Sequence, residues 1–382
     1  MFPLYSFFYS CRQRYNFIRI TPQVFTLIPF FLFWIAIGFT ACQDSSKHIY
    51  PRYEQFPETY NESCVQEIGN DSVFFRYPYR IDIKDSLAIL LDLHNDSHFL
   101  YAFTFPDWQP ITPFGKRGEG PDEILSAERI RICSPDSIWV LDSNRAQITR
   151  WKVSVADKKA ERMEEIPLDK QLLRTLDFCK TDSGFLVTDY TGSYRYHVLD
   201  AKGRIQKSIG SIPTEDESLR ESLPALAQAW RTFMSYNPKN QVLALVTQLG
   251  ETIEIFNLKT GFHTVLFGPN GEPVFSQQGG EAFPKGIKGF NEVLVADSCI
   301  YAVFDGVSFK ERIRNMQEGK KLAKGGKFVY VFDLEGKPLR KLVLDHSVFG
   351  LALQGERLYT TSLDNNNPVL SYPSILFSSS LN

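Results

Sequence analysis

The sequence predicts an all-β chain, a single six-bladed β-propeller, from three observations. A strand-rich unit recurs six times after residue 70, and its turns carry the Gly, Asn and Asp that tight hairpins require. Helical periodicity is confined to two short stretches. The 382 residues are 23% charged and 43% hydrophobic, a globular composition, and no Pro/Ser/Gly-rich linker divides the chain beyond residue 70. One large domain is therefore expected.

The repeats follow in order. They are 85–105, 136–153, 183–205, 240–261, then 298–309 continuing across an insertion into 327–344, and last 356–372. Aligned on the first apolar strand of each, they give Leu87, Ile138, Phe185, Val242, Ile300 and Leu358, spaced by 51, 47, 57, 58 and 58 residues. A blade of four strands takes roughly 40–50 residues, and insertions account for the longer intervals. Tandem sandwiches, the rival all-β reading, predict no such longer period. The stretches 215–230 and 310–324 are expected as loops or short helices decorating blades. Residues 71–76 ("DSVFFR") are expected to add the strand that clasps the last blade.

Residues 24–41 form an uncharged apolar run, preceded by Arg12, Arg14 and Arg19 and followed by Cys42. A basic start, an apolar centre and small residues before a cut are the parts of a secretory signal. "FTAC" resembles the bacterial lipobox, whose cysteine sulfur receives the lipid; Thr40 and Ala41 suit it, and Phe39 departs from the usual leucine. The alternative is an uncleaved membrane helix, for which 18 residues interrupted by Pro29 are marginal. The expected division is a signal peptide over 1–41, lipidated Cys42 with a polar tether over 42–70, the propeller over 71–372 and a tail over 373–382.

Charge narrows the partners. The net charge is −2, and removal of the leader leaves 39 basic against 44 acidic residues, about −5. A nucleic-acid partner is not expected, because such binders carry a basic excess. Four cysteines remain in the body, Cys64, Cys133, Cys179 and Cys299, with no CxxC pair, so buried free thiols are expected rather than zinc sites or a disulfide framework.

With the lipobox, "FGKRGEGPDEI" (114–124) and "KFVYVFDLEGKPLRKLVLD" followed by "ERLYTTSLD" resemble the TolB-like six-bladed propeller lipoproteins common in Bacteroidetes, over most of residues 60–372. The resemblance implies an exported lipoprotein in the cell envelope, on the periplasmic or outer face of the outer membrane. It supplies no reaction. The chain departs from the family's pattern by continuing into "PSILFSSSLN" (373–382).

Three segments carry candidate chemistry. In the loop 115–123, Gly115, Gly118 and Gly120 would let Arg117, Glu119, Asp122 and Glu123 converge on a ligand, with Arg117 forking onto a carboxylate or phosphate. The bland reading is a connection between blades with its charges paired internally. "DLHNDSH" (92–98) gathers Asp92, His94, Asp96 and His98, which reads as a polar hairpin tip before it reads as a metal site. The basic run 308–327 suits a solvated face, an acidic partner or anionic lipid headgroups. No catalytic or cofactor motif occurs, and no cofactor is expected. The expected function is a binding module for a peptide, glycan or envelope protein. The alternative is a metal-dependent lactonase, esterase or lyase with its site in the central channel.

Overall fold

The computed structural model describes residues 50–69 and 73–374; Cys42, the rest of the leader and residues 375–382 lie outside them. Two short strands come first, β1 (Glu58–Glu62) and β2 (Gln66–Ile68). Blade 1 is β3 (Pro78–Lys84), β4 (Leu87–Asp92), β5 (His98–Thr104) and β6 (Pro110–Lys116). Blade 2 is β7 (Ala127–Ser134), β8 (Ser137–Asp142), β9 (Gln147–Ser154) and β10 (Lys159–Pro167). Blade 3 is β11 (Phe178–Lys180), β12 (Gly184–Thr188), β13 (Tyr196–Asp200) and β14 (Ile205–Ile209). The helix α1 (Leu223–Ala229) leads to blade 4, which is β15 (Thr232–Asn237), β16 (Val242–Thr247), β17 (Thr252–Asn257) and β18 (His263–Phe267).

A hairpin of β19 (Phe275–Gln278) and β20 (Glu281–Pro284) precedes blade 5. Blade 5 is β21 (Phe290–Val295), β22 (Cys299–Phe304), the helix α2 (Phe309–Gln317), β23 (Gly326–Asp333) and β24 (Pro338–Val348). Blade 6 is β25 (Leu351–Gln354), β26 (Arg357–Thr361) and β27 (Val369–Pro373), with β2 as its fourth strand. All six sequence anchors fall in the second strand of a blade. These strands are buried on both faces because each blade is sandwiched between two others, as in "LAILLD" of β4.

The ring is clasped by β2; of the expected clasp 71–76, residues 73–76 form no strand, and 71–72 lie outside the described residues. Gln66–Ile68 pair antiparallel with Val369–Ser371. Val73 and Phe75 pack against the apolar cluster shared by blades 6 and 1 instead, with Phe75 edge-on to Tyr101 at 5.1 Å. Their apolar alternation therefore marks packing, while the clasp carries only three residues of pattern. A second bond lies one blade earlier, where Glu58–Glu62 run parallel to Arg340–Leu344 as a fifth strand. Residues 58–68, expected in the tether, thus belong to the blades. Of the expected tail, Pro373 ends β27 and Ser374 donates its N–H to the Glu356 carbonyl at 2.7 Å.

The ring has two unlike ends. At one, the turns inside blades are short. The other collects the connections between blades, α1, the hairpin β19–β20 and α2. An aspartate closes the second strand on this connection face. Asp92 accepts the N–H groups of Arg76 and Tyr77 at 2.7 and 2.8 Å. Asp142 takes those of Leu125 and Ser126 at 2.9 and 3.1 Å. Each ties down the approach to its own blade. Gly350 lies where a Cβ would come within 2.9 Å of the Ile81 nitrogen, so only glycine lets blade 6 approach blade 1 here. Among the described residues no helix is long and apolar enough to cross a membrane.

Starting the chain at residue 70 removes both clasping strands together with Tyr53 and Ile68, each buried. Burying each such side chain is worth about 1.5–3 kcal/mol, so urea unfolding should show a loss of at least about 3 kcal/mol against residues 50–382. An unchanged midpoint and slope would mean the ring closes without them.

Candidate functional site

The innermost strands of the blades surround the axis, and their inward residues alternate. β3 presents Arg80, Asp82 and Lys84; β7 presents Arg129, Arg131 and Cys133. Midway along, charge fills the axis. Arg129 Nε donates to Asp177 Oδ1 at 2.8 Å, Nη2 donates to Asp177 Oδ2, and Nη1 donates to Glu292 Oε2 at 2.5 Å. Arg80 lies 3.1 Å from the same Glu292 oxygen and donates to the Asn291 carbonyl at 2.7 Å. Its guanidinium is held between the rings of Tyr79 and Phe233, at 3.8 and 4.4 Å. None of these four charged side chains is more than 4% exposed.

Burial pushes against every charge in this cluster, and the partners decide the result. Burial alone would lower Arg129, but Asp177 and Glu292 raise it instead. Burial would raise Asp177, but Arg129 and Arg131 hold it below the ordinary carboxylate value. Arg80, with fewer partners, is lowered by its burial.

Beyond this plug the axis opens, at the face of short turns, into a pocket of about 620 Å³. Its wall includes Asp82, Lys84, Arg131, Cys133, Lys180 and Tyr236. Arg131 is committed to the scaffold, donating to the carbonyls of Phe178 and Met234 at 2.9 and 2.6 Å. Lys180 leans over the rings of Trp139 and Phe185. Lys84 is exposed and has no ion-pair partner among the described residues. Asp82 accepts the Ile132 N–H at 2.7 Å, and burial raises its pKa to about 6.

The sequence did not single out these residues, although "RIDIK" (80–84) and "RIRIC" (129–133) alternate charge with isoleucine in plain view. The alternation places three polar side chains of each strand on one side, which for an innermost strand is the axis.

The structure places the loop 115–123 on the opposite, connection face and does not bring its charges together. Arg117 stacks on Phe99 at 3.8 Å and donates to the carbonyls of Asn95 and Leu93 at 2.9 and 2.5 Å. Glu123 pairs with Lys116 at 2.6 Å and accepts the Gly120 N–H at 2.9 Å. Asp122 meets Arg162 at 2.7 Å, and Glu119 is exposed. Gly118, at φ +153°, is needed because a Cβ there would lie 1.9 Å from the Glu123 carboxylate. In 92–98, Asp92 serves as the strand cap above, His94 stacks on Tyr77 at 4.7 Å, and Asp96 pairs with Arg76. Among the described residues no group of three or more His, Cys, Asp or Glu is arranged to hold a metal ion. The four body cysteines are free: Cys179 and Cys299 are buried as expected, whereas Cys133 is exposed at the pocket wall.

A family model described as TolB-like 6-blade propeller-like matches residues 55–356. No curated protein matches the chain. Among solved structures, a DUF4221-family protein from Bacteroides vulgatus is 9% identical, covers 82% of this chain and 96% of its own, and superposes with a TM-score of 0.52. A Bacteroides fragilis protein described as exported is 10% identical over 82% of this chain and 98% of its own, at 0.49. A streptogramin B lyase is 13% identical over 81% and 86%, at 0.47. At such identities the likeness is one of fold.

Two predictions test the axis. Arg129→Met leaves Asp177 and Glu292 buried without their main cation, a change that typically costs about 3–5 kcal/mol, measurable by urea unfolding at neutral pH. A loss under about 1 kcal/mol would show that the network does not hold the axis. Asp82 titrates near 6 when folded against an ordinary value of 3.8. Its stabilising proton is therefore fully held below 3.8 and lost as pH rises through 6. Asp82→Asn, which keeps an acceptor for Ile132, should be more stable than the parent at pH 8, with the gap narrowing to roughly half at pH 5. Parallel melting curves at both pH values would refute this.

Proposed function

The chain belongs to the TolB-like six-bladed propeller family, and from that premise we propose that it is an exported lipoprotein, anchored through Cys42, that captures a small polar ligand. The ligand enters the blind axial pocket and bears an anionic group that meets Lys84 and Lys180. The leader supports the address: its basic start, apolar run and "FTAC" are what lipid attachment and cleavage need. Two or three acyl chains hold a protein on its membrane, where a single chain would not.

One observation carries the binding reading. The axis is filled midway by the Arg80–Glu292–Arg129–Asp177 network, and on the pocket side of it Asp82 and the fastened Arg131 line the wall, so the pocket is backed by fixed polar groups. A concave site of several hundred Å³ with a few fixed polar groups on a stiff frame is what small-ligand recognition requires. Peptides and glycan fragments of the cell envelope fit that description. Asp82 favours a second reading, because a carboxyl near pH 6 in a pocket suits proton transfer, and a hydrolase or lyase would use it as acid or base. In either case the axial acids Asp177 and Glu292 are taken up by arginine.

The binding reading is tested by melting residues 43–382 with a panel of acidic dipeptides, hexuronic acids and small organophosphates. A rise in melting temperature that disappears in Lys84→Glu/Lys180→Glu is expected. No rise across the panel, or one that survives the double variant, counts against it. The anchor is tested separately: incorporation of labelled fatty acid should vanish in Cys42→Ser, and persistent labelling would overturn it.

A further inference from the structure

We propose that the connection face, opposite the pocket, is apposed to the membrane and docks on anionic lipid headgroups through α2. This rests on the reading of Cys42 as the lipid site, and three observations join it.

The first is where the chain enters the ring. Phe267, the last residue of β18, stands at the connection face, because the outermost strand of a blade runs toward it. The Phe267 N–H donates to the Pro51 carbonyl at 3.0 Å, and the Tyr53 N–H donates to the Phe267 carbonyl at 3.0 Å. Arg52 pairs with Glu215 at 2.6 Å, in the connection between blades 3 and 4. Seven residues, 43–49, separate Cys42 from Tyr50. Fully extended, that stretch reaches roughly 25–30 Å. An anchor at Cys42 therefore draws this face toward the bilayer and leaves the pocket at the far end.

The second is the outer surface of α2. Ser308 caps the helix by accepting the Glu311 N–H at 3.1 Å, and Arg312 Nη2 donates to both Asp305 oxygens at 2.7 and 2.5 Å, which fixes its inner side. Helical spacing puts Lys310, Ile313 and Arg314 on one outward strip with Met316 beside it. Ile313 and Met316 are 51% and 62% exposed. Lys310, Arg314 and Lys324 have no ion-pair partner among the described residues. The run 308–327 holds seven basic residues against Glu311 and Glu318. Apolar side chains bared among unpaired cations suit an interface where headgroups are anionic and acyl chains begin just below.

The third is the hairpin β19–β20, which rises from the same face and leaves Phe283 and Val274 about half exposed. It is held on α1, where the Ala282 N–H donates to Gln228 at 3.0 Å, and it shares an apolar cluster with Tyr50. A second patch of bare apolar side chains, at the base of this hairpin, thus stands on the same face. The turn Glu217–Glu221 is acidic and lies on the same face, so contact is led by α2 rather than made flat across it.

The test uses residues 43–382 without lipid, floated at low salt with vesicles of phosphatidylcholine alone or with about one third phosphatidylglycerol. Flotation with the anionic vesicles only, reversed by salt, is expected. Lys310→Glu/Arg314→Glu should cut it by at least about tenfold, since each basic residue near an anionic surface contributes substantially. Ile313→Ser/Met316→Ser should weaken it while leaving the salt dependence in place. Lys202→Glu/Lys259→Glu, two reversals on the face of short turns, should leave it unchanged. Equal flotation on both vesicles, or an equal loss from the Lys202/Lys259 pair, overturns membrane docking; an acidic protein would then be the occupant of α2. The assay needs no acyl group, so failure of Cys42 labelling and failure of docking are read independently.

Discussion

Each blade ends inward on a strand that pairs on one side only, and the structure depends on how those six inner edges are satisfied. A bare edge leaves N–H and C=O groups facing the axis and the next blade, where an unpaired group is costly. Polar side chains of neighbouring blades answer them. Asp177 accepts the Met234 N–H, Arg131 donates to the Met234 carbonyl, and Asp82 accepts the Ile132 N–H. Ser235 takes the Val295 N–H, and Thr361 donates to the Tyr79 carbonyl. The charge along the axis follows from this. Carboxylates and guanidiniums that serve backbone edges are buried, and buried charges must be paired, so Arg129, Asp177 and Glu292 lock together.

The repeat was legible because its cause is strong. A second strand with a blade on either side is apolar throughout, and six such runs at 47–58 residues stand out against the turns. The clasp was legible only in kind. "DSVFFR" carries the apolar alternation of a strand, yet Phe75 spends it on Tyr101 and Phe103. β2 needs only three residues, since it works by backbone pairing to β27 and by one buried side chain, Ile68, too little to mark a side-chain pattern.

The candidate site was misplaced for a related reason. A glycine-rich loop with five charges looks free to face solvent, but those glycines let the loop fold onto itself. Gly118 admits the Glu123 carboxylate, and Arg117 turns inward to carbonyls of the neighbouring turn. Side-chain charge in this loop goes to nearby backbone and to ion pairs within and beside it. The axial residues had the opposite fate. They sit in regular strands, where alternation dictates direction, and "RIDIK" and "RIRIC" could have been read as axial once their strands were assigned as innermost. What no alternation gives is the depth at which each charge stops, and depth separates the plug from the pocket.

That separation has a mechanical consequence. Asp177 is shared: Arg129 holds it from within the plug, and Arg131, 3.2 Å away, holds it from the pocket wall. Arg131 is also fastened to blades 3 and 4 through the carbonyls of Phe178 and Met234. A ligand that displaced Arg131 would have to break contacts to two blades and weaken the carboxylate on which Arg129 depends, at a cost typical of opening a buried ion pair. The pocket is therefore stiff at its floor. Adaptation to any ligand would fall to the rim, where Lys84 is exposed and without an ion-pair partner among the described residues. A ligand bound there would be selected by the polar groups it brings to fixed partners, and little by rearrangement of the ring.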